Sequence, residues 1–273
     1  MKITFENKVS ISEFDNIADL IKYVTTTPLN KVYAGMADSK LTSNFGGKAG
    51  KEFTGTNSFD EAIAMLKNGW DDMAKTIEGK LALVTSKQVT KTSPRPTYSM
   101  AGYQACVPRY LQGVPESMIY SKRVPVKQKV ITINKQSNYR SDISIEKIID
   151  ESIKALTIVT HLEAQGYRVN LNAVTCSDGS DGYTHITKTC IKKASERISV
   201  SKMAFPLCNP SFQRRIVFRH IEVCPTTSHS FRWGYGSTNY HANKFFEDKS
   251  SGVYYIPPFV GDVDKFITNM QLK

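Results

Sequence analysis

Apolar residues recur at spacings of three and four over Ile145, Ile148, Ile149, Ile153, Leu156, Val159 and Leu162. That spacing puts them on one face and predicts a helix of about 20 residues. Ser144 stands where an N-cap hydroxyl accepts from a first-turn amide, and Gly166 suits the left-handed residue that ends such a helix. On either side the period changes. Val130-Ile131-Thr132-Ile133 is a short β-branched run, the composition of a buried strand. Val169, Leu171 and Ala173 alternate with Arg168, Asn170 and Asn172, which predicts a second strand. A polar loop from Asn134 to Ile143 joins the first strand to the helix. Strand, long helix and strand together predict a right-handed crossover between parallel strands.

The remaining chain is patterned more weakly. Ser10-Ile11-Ser12-Glu13 reads as a capping box ahead of Phe14, Ile17, Ala18, Ile21 and Val24, so a helix to about Thr25 is expected. Residues 30–57 hold five glycines and read as loop. A second capping box, Ser58-Phe59-Asp60-Glu61, opens a helix closed by Gly69, with a short helical continuation over residues 71–80. Residues 85–97 are polar, carry Pro94 and Pro96, and read as a linker. Residues 102–114 predict a short helix. Ser177 to Gly182 is a turn; it lacks the twelfth-position glutamate of a calcium loop, where Thr189 stands. Residues 185–200 predict one or two strands, Asn209-Pro210 a helix start, Val253 to Ile256 a strand, and Val263 to Met270 a closing helix.

With 273 residues and 40% hydrophobic content, a full core is affordable, and nothing approaches an apolar run of about 18 residues. The first residues lack the apolar stretch of a secretory signal. Five cysteines without a C-x-x-C pair predict reduced thiols, and the histidine and cysteine spacing predicts no zinc site and no cofactor. The net charge of +11 is unevenly spread. Residues 120–140 carry six cations (Lys122, Arg123, Lys127, Lys129, Lys135, Arg140) and no acid. Residues 186–219 carry eight (Lys188, Lys192, Lys193, Arg197, Lys202, Arg214, Arg215, Arg219) against Glu196 alone. These two windows exceed the charge of the whole chain, which points to a surface that meets a polyanion, although a solvated lysine-rich surface explains the same excess.

Catalytic signals are absent. No G-x-S-x-G elbow, G-x-x-x-x-G-K-[ST] loop or G-x-G-x-x-G turn occurs, His161 reads as a helix residue, and no nucleophile is assigned. The C-terminal third instead combines cations with an Arg232-Trp233-Gly234-Tyr235-Gly236 loop. Cations meet phosphates and aromatic faces stack on bases, although Trp233 and Tyr235 also suit a core. A nucleic-acid surface is therefore expected from Lys135, Arg140, Lys192, Lys193, Arg214, Arg215, Arg232, Trp233 and Tyr235. Arg214 and Arg215 should share the C-terminal strand edge with Lys135 and Arg140, beside Trp233 and Tyr235.

Two resemblances add to this reading. Ser58-Phe59-x-Glu61-Ala62 with Gly69-Trp70 resembles an uncharacterised family of tailed-bacteriophage proteins. So do Val107-Pro108 with Gly113-Val114-Pro115-Glu116-Ser117-Met118, Asn209-Pro210-Ser211-Phe212 with Arg214-Arg215, and Tyr235-Gly236-Ser237. The strand, polar loop, amphipathic helix and strand are similar to the opening of a von Willebrand factor A domain. That family's first strand ends in an Asp-x-Ser-x-Ser metal motif; Asn134, Gln136 and Asn138 occupy those positions here, with Lys135 between them, so a divalent metal would lack its charged ligands. The resemblance implies an α/β fold: a Rossmann-like, von Willebrand A-like three-layer core with a mostly parallel sheet over residues 99–273. Residues 1–98 would form an N-terminal helical extension packed on it. The two basic windows and the aromatic loop point to a non-catalytic accessory protein that binds nucleic acid, and the phage resemblance implies that it is phage-encoded and acts in the host cytoplasm. The alternative is a module that binds a phage or host protein, a virion component among them, and an enzyme of unrecognised type is a third reading. No membrane association is expected.

Overall fold

The structure, a computed structural model, describes residues 1–85, 97–120, 129–232, 234–240 and 242–270. The chain divides into two compact units, one built from residues 1–86 and 129–273, the other from residues 87–128.

The larger unit begins with two strands, the second of which takes the residues expected to cap and open a helix. β1 (Lys2–Glu6) and β2 (Val9–Phe14) form an antiparallel hairpin. Its two-residue turn, Asn7-Lys8, has both residues at positive φ (49° and 63°), the backbone twist that tight hairpins favour. Ser10 and Ser12 thus do not cap a helix: they alternate with Val9 and Ile11 across the sheet, buried on the face that also carries Phe14. The helix itself, α1 (Ile17–Thr26), starts one turn later, where Asn16 accepts from the Asp19 amide at 2.8 Å. The glycine-rich stretch holds α2 (Gly47–Thr54). The second capping box is as expected: Ser58 accepts from the Glu61 amide at 3.1 Å and opens α3 (Phe59–Asn68), and α4 (Asp71–Thr85) follows.

The smaller unit contains β3 (Thr97–Ser99), β4 (Gln104–Ala105), the short helix α5 (Val107–Leu111) and β5 (Met118–Tyr120). Its strands pair antiparallel in the order β3-β5-β4. The expected linker lies almost wholly outside the described residues, as do Lys122, Arg123 and Lys127 of the first basic window.

The chain then returns to the larger unit with β6 (Val130–Gln136), α6 (Ile145–Ala164) and β7 (Arg168–Asp178). β6 and β7 pair in parallel as the hydrophobic pattern requires, and Ser144 caps α6 at the Lys147 amide. β7 turns back antiparallel into β8 (Thr184–Lys192). Helix α7 (Val200–Cys208) tolerates Pro206 in its last turn, and a π-helical turn over Phe212–Val217 runs into α8 (Phe218–Val223). β9 (Ser237–Thr238), α9 (Asn243–Phe246), β10 (Val253–Ile256) and α10 (Val263–Asn269) complete the unit.

The main sheet has the order β1-β2-β8-β7-β6-β10, with β9 added on β7. It is mixed: β2–β8, β7–β6 and β6–β10 are parallel, the other pairs antiparallel. The N-terminal segment is therefore part of the sheet and core, and the division at residue 98 gives way to a separate 87–128 unit. One face carries a large apolar cluster in which Ile131, Ile133, Val169 and Leu171 meet residues of α1, α3, α4, α6, α7, α8 and α10. Among the described residues, the opposite face has only a small cluster around Val174, Cys176 and Ile186, covered by Ala242, Phe245 and Phe246. Thus the third layer is thin. The reason lies in the strands: Thr132, Asn170 and Asn172 put polar side chains on that side, and a polar face needs little cover.

Candidate functional site

A cavity of about 930 Å³ opens beside the C-terminal end of β6, the edge where open α/β sheets take their ligands. One wall is the loop after β6, pinned to the π-helical turn. The Tyr139 amide donates to Gln213 Oε1 at 2.8 Å, the Arg140 amide donates to Tyr240 Oη at 3.2 Å, and Arg214 Nη2 donates to the Arg140 carbonyl at 3.2 Å. Arg214 also donates to the Phe53 carbonyl, with its guanidinium 4.6 Å above the Phe53 ring. Burial pulls the Arg214 pKa down, yet two carbonyls and a π-face hold the cation there. Arg140 leaves most of its side chain in solvent, paired with Asp142 at 3.2 Å. Arg232 and Lys40 line the same cavity.

Tyr235 sits at the cavity's base with φ +56°. Its ring lies between Phe218, stacked at 4.3 Å, and Tyr33 at 6.0 Å, so neither face is open to a base. Its hydroxyl donates to Glu222 at 2.7 Å and accepts from the Thr42 amide at 3.0 Å. Burial raises the pKa of Glu222, and hydrogen bonds from Ser43 and Tyr235 oppose the rise. Tyr235 is a structural post. Among the described residues, the aromatic rings with accessible surface at this cavity are Phe45, 43% exposed, and the half-buried Phe53, Phe218 and Tyr240; Arg214 covers Phe53 and Tyr235 covers Phe218, which leaves Phe45 and Tyr240 for a ligand. Gly236, at φ +75°, lets the chain pass: a Cβ there would lie 2.6 Å from the Phe231 ring and 2.9 Å from the Asp178 carbonyl. Gly236→Ala should cost about 1–3 kcal/mol and lower the thermal midpoint measured by calorimetry.

Several residues expected on a polyanion-binding surface are interior. Lys135 is fully buried and donates to the carbonyls of Pro257 and Pro258 at 2.7 and 3.0 Å. Lys192, 2% exposed, pairs with Glu163 at 2.5 Å. Arg215 is fully buried, its guanidinium bonded to Ser43, Phe45 and Thr56. None of the three can reach a phosphate, because each already spends its donors on the fold. Lys193 is exposed but lines other depressions, one of them with Lys202 and Arg197. Trp233 lies outside the described residues. Arg140, Arg214, Arg232 and Tyr235 are the expected residues that the fold brings together; Phe45, from the glycine-rich loop, had no signal in the sequence that marked it.

The metal positions of the von Willebrand A pattern are closed by amides. Asn134 donates to the Phe246 carbonyl at 2.7 Å and accepts from Asn172 at 2.8 Å. Gln136 donates to Asn138 at 2.8 Å and to the Asn239 carbonyl at 2.7 Å, and Tyr255 donates to Gln136. With no carboxylate and every amide engaged, these residues do not fit a divalent cation.

The chain belongs to the DUF7192 family. That family is described as a domain of unknown function, and the match spans residues 2–270, so it includes both compact units. No curated protein and no solved structure matches the chain. No helix among the described residues is long and apolar enough to cross a membrane.

A second constellation lies away from the cavity. His185 on β8, His220 on α8 and Cys224 just after α8 are all buried, with potential ligand atoms within 4.8 Å of one another. Burial lowers the pKa of His185 and brings that of His220 down to about 3. For Cys224, burial pushes the thiol up, but the neighbouring His185 imidazole and Thr226 outweigh it and hold it at about 6.

Proposed function

We propose that this DUF7192 chain is a phage-encoded, non-catalytic protein that binds nucleic acid in the host cytoplasm, through the cavity beside the C-terminal end of β6. One observation carries the reading. Arg140 from the first basic window and Arg214 from the second meet Arg232, Lys40, Phe45 and Tyr240 around a single opening. Arg214, 5% exposed, spends its donors on the Phe53 and Arg140 carbonyls and holds the wall, so the exposed Arg140 and Lys40 are the cations that meet phosphates, and a base stacked on Phe45 or Tyr240 adds about 1–3 kcal/mol. A volume of about 930 Å³ accommodates a nucleotide unit of a strand rather than a duplex groove contact, which favours single strands or ends. The motifs shared with tailed-phage proteins support the phage setting.

Mobility shifts or anisotropy with single- and double-stranded DNA and RNA across a salt series test this. Binding should weaken steeply with salt through counterion release. Lys40→Ala with Arg140→Ala should flatten the slope by about one unit per lost phosphate contact. The fold should be unaffected, because both side chains are solvent-exposed. No binding at low salt to any of the four substrates ends the reading; an unchanged slope in the folded double variant moves the surface elsewhere.

The strand arrangement favours a second reading. β6, α6 and β7 with β10 parallel on the far side of β6 suit a von Willebrand A-like module without its metal, which would bind a host or virion protein. A partner recovered from host lysate after nuclease treatment favours that module, whereas a nuclease-sensitive mixture favours nucleic acid.

A further inference from the structure

We infer that His185, His220 and Cys224 form a zinc-class metal site that ties the last turn of α8 to the centre of the main sheet. The residues come from rigid elements. His220 and Cys224 are four apart, which places them on one face of a closing helical turn, where the Cys224 amide donates to the His220 carbonyl at 2.9 Å. His185 reaches them from β8. Two imidazoles and a thiol are a soft to borderline donor set, the kind zinc selects.

A second observation is independent of that clustering. The Nε2 atoms of His185 and His220 are fully buried and meet no hydrogen-bond partner, while the residues themselves are 2% and 0% exposed. A buried polar nitrogen without a partner is a cost that folded proteins rarely leave standing. A metal ion would accept both lone pairs. The other nitrogen of His220 is already used: Nδ1 lies 3.1 Å from Thr187 Oγ1. Donation from Nδ1–H to that hydroxyl leaves the lone pair on Nε2 and fixes the ring, the outer-shell arrangement that metal-bound histidines favour. Thr226 Oγ1, 3.2 Å from the sulfur, supports it in the same way. Ser12, whose hydroxyl is 4.0 Å from the sulfur, offers an oxygen for the fourth position. Phe14, Tyr23 and Phe231 pack edge-on or tilted against the two imidazoles and close the site to solvent. Zinc–ligand lengths of about 2.0–2.3 Å require the donors to draw together by roughly an ångström, within reach of side-chain torsions.

The full-length chain, stripped with a chelator, should take up one equivalent of Co(II) with a thiolate-to-cobalt absorption band, and zinc should displace it. X-ray absorption of the zinc-loaded wild-type chain should show one sulfur at about 2.3 Å among nitrogen and oxygen at about 2.0–2.2 Å. Cys224→Ser should abolish the cobalt band and weaken zinc binding by more than the 10–100-fold typical of losing an outer-shell partner. Folded wild-type protein that gives no thiolate band, or a zinc shell without sulfur or with more than one, overturns the site. So does a band that persists in folded Cys224→Ser, since Cys106, Cys176, Cys190 and Cys208 would then be supplying the thiolate. If Cys224→Ser fails to fold, the wild-type absorption and the sulfur count decide alone.

Discussion

Arg215→Ala should destabilise the larger unit by about 3–5 kcal/mol, a large share of the roughly 5–15 kcal/mol that a folded domain holds. The guanidinium donates from Nε to Thr56 Oγ1 at 2.8 Å, from Nη1 to the Ser43 carbonyl at 2.9 Å, and from Nη2 to the carbonyls of Phe45 and Thr56 at 3.0 and 2.9 Å. These acceptors flank α2, Ser43 and Phe45 before it and Thr56 after it, so one side chain ties both ends of that helix to the π-helical turn. Truncation leaves the Ser43 and Phe45 carbonyls without this donor, at about 1–3 kcal/mol for each acceptor left unsatisfied, while the Thr56 carbonyl keeps the Thr54 hydroxyl at 2.9 Å. Relief from burying an uncompensated cation offsets part of that loss; burial already pulls the Arg215 pKa down, with Glu61 opposing. Arg215→Met separates the two effects. It restores volume and removes the charge but not the donors, so it should remain destabilising, by less than alanine. Arg215→Lys keeps the charge but offers one point donor in place of a fork, and should fall between wild type and alanine. Urea midpoints should fall without a change in slope, and amide exchange should accelerate first over residues 43–56. An Arg215→Met chain as stable as wild type would mean that the carbonyls find water or other donors, and the strap would not be essential.

Arg215 is thus a structural cation, where charge alone places it on the surface. A cluster of cations with few acids reads as a surface because exposed charge is the rule. Arg215 meets carbonyls that are 159 to 172 residues away in sequence, and no local pattern announces such partners. Lys135 did leave a trace: Ile131, Ile133 and Lys135 share one face of β6, so its position in the alternation is an inward one. The polar-loop reading of Asn134 onwards hid it. Likewise Ser10 and Ser12 occupy the buried face of β2, but serine before a hydrophobic run looks like a helix cap until β8 is placed beside it. Elements whose determinants are local came through well. Ser144 and the three-four spacing define α6, Ser58 defines α3, and the β-branched and aromatic run Val253–Ile256 defines β10. For the site, Arg140 and Arg214 were readable as cations, and their convergence followed from the strand-edge argument. Phe45 was not readable, because a lone aromatic among glycines has no period to place it. The pairing of His220 with Cys224 was present as an i, i+4 spacing, but the third donor comes from a strand 35 residues earlier.

Lys135 should make the stability of the larger unit rise with pH above neutrality. Burial drives its pKa down from 10.5 to about 7, with the charge of Glu151 opposing. Its contacts are the carbonyls of Pro257 and Pro258 and, at 3.4 Å, the Tyr139 hydroxyl; these are dipoles rather than a counter-ion in contact. Between about pH 7 and 10.5 the unfolded chain therefore binds a proton that the folded chain does not. Stability then rises with pH by up to about 1.4 kcal/mol per unit over that window. As pH falls through 7 the folded amine protonates as well and the slope vanishes. Other groups titrate nearby: Cys224 contributes with the same sign between about pH 6 and 9, whereas buried Tyr139 and Tyr235, whose pKa values are raised by burial, act oppositely above pH 10. The diagnostic is accordingly a difference. Unfolding free energies of wild type and Lys135→Met, measured by urea titration from pH 7 to 9.5, should diverge in favour of wild type by about 1 kcal/mol or more per pH unit. At pH 7 the two should be closer, because the variant loses the bonds to Pro257 and Pro258 but also sheds the cost of a buried ammonium. A difference that stays flat across this range would show that Lys135 remains protonated in the folded chain, held by carbonyls and Glu151 strongly enough to overcome its burial.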